Sequence, residues 1–78
     1  MELRYDKQAD AIYVRLGQGE YAYGEELDTE RQIDYAADGK PIGVELLCVS
    51  EGVDLRNLPE QEAISKLLSK HRIKVLAS

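Results

Sequence analysis

The sequence predicts an α+β domain: a four- to five-stranded antiparallel β-meander with one C-terminal helix packed on one face. Three observations lead there. Apolar and polar residues alternate in short runs over roughly the first fifty positions. Glycine-bearing turn signals separate those runs. After Ser50 the apolar spacing changes to that of a helix.

The elements follow in order. Leu3 and Tyr5 alternate with Glu2 and Arg4, and Asp6-Lys7-Gln8-Ala9-Asp10 supplies turn residues. Ala11 to Leu16 puts Ile12, Val14 and Leu16 on one face and Tyr13 and Arg15 on the other. Gly17-Gln18-Gly19 has the composition of a hairpin turn, with glycines free to adopt positive φ. Glu20 to Leu27 is a weaker strand with Tyr21 and Tyr23 on one face. Arg31 to Ala36 sets Ile33 and Tyr35 opposite Gln32 and Asp34. Asp38-Gly39 is a strong turn signal, and Pro41 opens a fifth strand, where a missing N–H is tolerated.

Asn57 is placed to cap the helix, with Glu60 completing a capping box and Pro59 in the first turn. Ile64, Leu67, Leu68 and His71 then fall at i, i+3, i+4 and i+7. The end of the chain, with Ile73 and Val75 alternating, is a short strand or tail. It offers one further dimer contact, by pairing across copies. The expected core layer is Ile12, Val14, Leu16, Ile33, Val44, Leu46 and Cys48. Alternation then points Glu45 the other way, with Leu47 and Val49.

All 78 residues fit one domain, a sheet over 1–51 followed by loop, helix and tail over 52–78. A chain this short buries only ~60–65% of its unfolded surface, so association is a natural way to cover the remainder. A single cysteine allows no internal disulfide. The net charge of −5 argues against nucleic acid, which rewards cationic surfaces. Neither a signal core nor a membrane-spanning run is apparent, so the expected location is cytoplasmic.

The second sheet face carries the candidate interaction residues: Tyr13, Arg15, Asp34, Glu45 and Leu47, with Tyr21 and Tyr23. Tyrosine and arginine offer broad, stiff, amphipathic contact area. Other chemistry has weaker support. Glu45 and Asp34 would make an acid–base pair only if brought close together in a pocket. Asp6 and Asp10 lack the calcium-loop pattern and suit a local turn instead. Cys48 and His71 both fall on core-facing positions where they could meet, yet a buried cysteine is usually inert. Gly17 to Gly24 is not a dinucleotide fingerprint, and one histidine with one cysteine makes no metal site. No catalytic residue, metal or cofactor is expected.

Tyr5-Asp6, Asp10-Ala11, Tyr13, Asp34-Tyr35, Asp38-Gly39, Gly43, Glu45 and Ser50 form a pattern. Over about residues 1 to 51 it resembles the DUF2283 family, a small bacterial and archaeal domain of unknown function. Pro41 departs from that pattern, where a β-branched residue is usual. The resemblance implies no activity and transfers no catalytic residue. It suggests an antitoxin-like or accessory partner role. It also implies that Gly43 makes room for a large neighbour, a tyrosine such as Tyr13. Glu45 is expected to accept a bond from Arg15 or a tyrosine hydroxyl.

The sequence therefore favours a non-enzymatic interaction module, homodimeric or bound to a small protein partner. The competing reading is a small-molecule binder or minor enzyme using a carboxylate and tyrosine groove.

Overall fold

In the computed structural model, which describes residues 1–78, five strands form one antiparallel sheet. They are β1 (Glu2–Asp6), β2 (Ala11–Arg15), β3 (Tyr23–Asp28), β4 (Arg31–Tyr35) and β5 (Pro41–Leu47). A 3-10 turn over Val49–Glu51 leads to β6 (Val53–Asp54), then α1 (Gln61–Lys70) and β7 (Val75–Ala77). The fold class is α+β, as the sequence predicts.

The strand order is β1-β2-β5-β4-β3, so a simple meander in chain order is corrected. The expected Gly17–Gly19 hairpin is instead a crossover along the end of the sheet. Leu16 donates its N–H to the Ile42 carbonyl at 2.9 Å, and Ala22 donates to the Tyr35 carbonyl at 2.8 Å. Composition explains the arrangement. β5 supplies Ile42, Val44 and Leu46, all buried, and takes the centre. β3, with exposed Glu25 and Glu26, takes an edge, where charge is cheap and discourages pairing with a strand of the same sign. The crossover spans about three strand spacings, roughly 14 Å, well within the reach of its residues.

The core joins two contributions. Ile12, Val14, Ile33, Val44 and Leu46 come from the sheet. Val49, Val53, Leu55, Leu58, Ile64 and Leu68 come from the turn, β6, the loop and α1. Alternation puts Val49 beside Glu45 and Cys48 in the core layer, and the structure reverses both. Cys48 adopts a left-handed conformation, φ 56°, which ends β5 and swings Val49 inward. Cys48 is left half-buried at the rim.

Asn57 does not cap α1, and no capping box forms. Asn57 and Glu60 are both left-handed, φ 66° and 55°, and Glu60 at the N-cap position makes no side-chain cap bond. Burying Leu55 and Leu58 on either side of Asn57 requires a turn there, so Asn57 serves that turn. Ile64 and Leu68 are buried and Leu67 packs beside them, but His71 lies past the last turn, exposed. It lines a shallow hollow with Leu3, Tyr5 and Lys7 and does not meet Cys48. The helix ends in a Schellman motif. Arg72 takes φ 59°, Ile73 donates to the Leu68 carbonyl at 2.9 Å, and Arg72 donates to Ser69 at 3.0 Å.

The tail is a strand, and it pairs within its own chain. β7 runs parallel to β6, and Leu55 donates to the Ala77 carbonyl at 2.8 Å. Leu76 lies across Gly52, where a side chain would collide with it.

Candidate functional site

The second face of the sheet is built by register. Tyr13 on β2, Glu45 on β5 and Gln32 on β4 share one row. Arg15, Gly43, Asp34 and Gly24 share the next, and Ala11 faces Leu47. Tyr13, Arg15, Asp34, Glu45 and Leu47 are therefore brought together as expected. Tyr21 joins them, its hydroxyl over Gly24. Tyr23 does not. It faces Tyr35 across the β3–β4 pair, on the side of Ile33, and stacks on that ring at 5.1 Å. Tyr21 lies before β3 begins, so strand alternation does not tie the two tyrosines to one side.

Gly43 has the role anticipated for it. A Cβ at this position would overlap the hydroxyl and ring of Tyr13, so Tyr13 lies flat across the strand only because position 43 is glycine. Its hydroxyl then reaches Asp34 and donates to Oδ2 at 3.2 Å. Gln32 donates to the other oxygen of Asp34 at 2.9 Å. Burial first, then the nearby Asp34 charge, pushes the Tyr13 hydroxyl pKa up, so the phenol stays a donor.

The role expected of Glu45 belongs to Asp34. Glu45 is exposed, and its side chain takes part in no hydrogen bond or ion pair. Arg15 does not reach it; its guanidinium donates to the Gly19 carbonyl at 2.6 Å and pins the crossover. Row geometry explains this: Tyr13 is directly opposite Glu45 but leans over Gly43 toward the Asp34 row.

The other motif residues build turns. Asp6 accepts the Ala9 N–H at 3.1 Å, and Asp38 accepts the Lys40 N–H at 3.0 Å beside Gly39, φ 85°. Asp10, left-handed at φ 55°, accepts both the N–H and the hydroxyl of Ser50, at 2.9 and 2.6 Å. That clamp fastens the β1–β2 turn to the 3-10 turn after β5. Tyr5 packs against the core.

One network was missed from the sequence. The Arg31 side chain is only 10% exposed, and it binds Asp28 and the carbonyls of Asp54 and Arg56. Arg56 forks onto the Asp54 carboxylate at 2.7 and 3.0 Å. The Arg56 side-chain bonds, then its backbone N–H, hold the Asp54 carboxyl well below the usual range. The Glu30 N–H comes first in lowering Asp28. Only the Asp28–Arg31 spacing across a tight turn was readable in advance, since Asp54 is distant in sequence. Beside the network a cleft of about 210 Å³ runs between Glu30, Leu47, Gly52 and Leu76. Burial, then Glu30, pushes the Cys48 thiol pKa up, away from the reactive thiolate.

No group of His, Cys, Asp and Glu side chains is arranged to hold a metal ion, and no helix is long and apolar enough to cross a membrane. No curated protein and no solved structure matches the chain significantly. One family model does, described as a protein of unknown function, DUF2283, and its match runs over residues 2–50. That segment holds all five sheet strands, the Tyr13–Asp34 pair over Gly43 and the Asp10–Ser50 clamp, and it takes in most of the chain: the protein belongs to the DUF2283 family.

Proposed function

We propose that this protein is a small non-enzymatic interaction module that works by binding a protein partner. The observation that carries the reading is a five-stranded sheet with two open edges, flanked by exposed Tyr21, Tyr23 and Leu47. An open edge offers unpaired backbone groups for strand addition, and exposed tyrosines supply contact area beside it. An antitoxin-like or accessory role is one use of such a module, and homodimerisation is another.

The second reading, a small-molecule site, has one observation in its favour. A hollow of about 210 Å³ lies beside Tyr13 between Arg4, Asp6 and Glu45. It is smaller than the roughly 300–1,000 Å³ of ordinary ligand pockets, which ranks this reading second.

The test is purification of the tagged full chain from its own host at native expression, read by intact-complex mass spectrometry. The expected result is a second protein at fixed stoichiometry. A bare monomer overturns the proposal and leaves the hollow beside Tyr13 as the next site to probe with metabolites.

A further inference from the structure

The charge of this protein is unevenly placed. Glu20, Glu25, Glu26, Asp28 and Glu30 lie within one eleven-residue segment that contains no lysine or arginine. The remaining residues balance, ten acidic against ten basic, so this segment carries the whole net charge of −5. It contains β3, which pairs with β4 on one side and with nothing on the other. All of β3 except Leu27 is exposed. Tyr23 is 48% exposed on one side of the sheet and stacks on Tyr35; Tyr21 is 61% exposed and reaches over Gly24 on the other side.

We infer that the open edge of β3 is a docking site for a cationic, extended segment of a partner protein, which adds to the sheet as a sixth strand. The inference rests on the interaction-module reading and names its edge and its partner's chemistry. Strand addition satisfies the unpaired backbone groups of β3. Successive lysine or arginine side chains then fall on opposite faces of the new strand. One set meets Glu25 beside the Tyr23–Tyr35 stack, where a guanidinium or ammonium also gains from the ring face. The other set meets Glu26, with Tyr21 on the same side.

Charge separates this occupant from the alternatives. A second copy pairing β3 against β3 would oppose two segments of the same sign, and nucleic acid is repelled for the same reason. β1 is the other open edge, but Arg4 and Lys7 sit among Glu2 and Asp6, so it has no single sign to match.

The test uses the full chain and an eight-residue peptide in which lysine pairs alternate with threonine pairs, so that each face of the strand carries lysine. Its controls are the glutamate–threonine counterpart and a cationic copy N-methylated at every amide. Binding is read by fluorescence anisotropy, and its location by amide chemical shifts and hydrogen exchange. The expected result is that only the unmethylated cationic peptide binds, with new protection confined to Tyr23–Asp28. The Glu25→Lys/Glu26→Lys variant, checked for an unchanged spectrum elsewhere, should weaken it by at least about tenfold. Added salt should weaken it too. Equal binding of the methylated peptide, protection at β1, or indifference to the charge reversal each overturns the inference. So does no binding at all. A partner captured from the host but mapped to β1 or the Tyr13 face overturns it while leaving the interaction-module reading intact.

Discussion

Gly43 and Tyr13 behave as one unit, because the ring occupies the volume a side chain at position 43 would need. Gly43→Ala should therefore destabilise the fold by ~1–3 kcal/mol, the usual cost of overpacking. Tyr13→Ala loses the ring's cover and its bond to Asp34. With Tyr13 already truncated, Gly43→Ala should cost much less. Urea unfolding of the two single variants and the double variant measures that coupling, and strictly additive costs would show that the ring does not depend on the glycine. Part of this was legible. The resemblance implies Gly43 beside a large neighbour, and turn chemistry gives the roles of Asp6 and Asp38. The Asp10 carboxylate, expected to fix a local turn, instead accepts from Ser50, 40 residues on. Glu45 is the expected acceptor because alternation and the motif put it on one face with Arg15 and the tyrosines. Alternation gives the row of a residue but not the direction in which a long ring leans.

At the scale of elements, Arg31 joins β4 to β6 and so binds the sheet to the C-terminal segment. Its partners set an acid dependence. Asp54 and Asp28 have folded pKa values below their unfolded ones. Their contribution is thus complete above the ordinary carboxylate range, near pH 4, and is lost as pH falls through that range toward the depressed folded values. Asp54→Asn should lower stability at pH 7 and flatten its decline between about pH 4 and 2. Urea midpoints measured from neutral to acid pH check this, and an unchanged slope would remove Asp54 from the account. Arg31 itself sat on a position that alternation assigns to the core face, yet nothing local identifies a carboxylate more than twenty residues away. The strands were readable because their apolar residues repeat with period two. Their order was not, because turn chemistry cannot distinguish a glycine-bearing hairpin from a crossover of similar length. The helix was placed from its apolar period, while its capping failed as a reading because Leu55 and Leu58 decide the path of the chain.

At the scale of the molecule, the family segment and the remainder share one core. A chain ending at Glu51 would lose Val53, Leu55, Leu58, Ile64 and Leu68, five of its eleven core residues. At about 1.5–3 kcal/mol each this is ~7–15 kcal/mol, comparable with the whole stability of a small domain. That truncation should show no cooperative thermal transition by circular dichroism. A sharp transition would mean that the sheet is autonomous and the rest an accessory.

The central place of β5 bears on how the chain folds. β1 and β2 form one local pair, β3 and β4 another, and neither pair has a finished core face. Tyr13 meets Glu45 only after the intervening chain is brought round, a loop closure of roughly 30 residues that costs about 3 kcal/mol before any burial offsets it. A two-stranded pair is marginal on its own, so both halves depend on the most apolar strand arriving between them. During synthesis neither half can close its core face before β5 has left the ribosome.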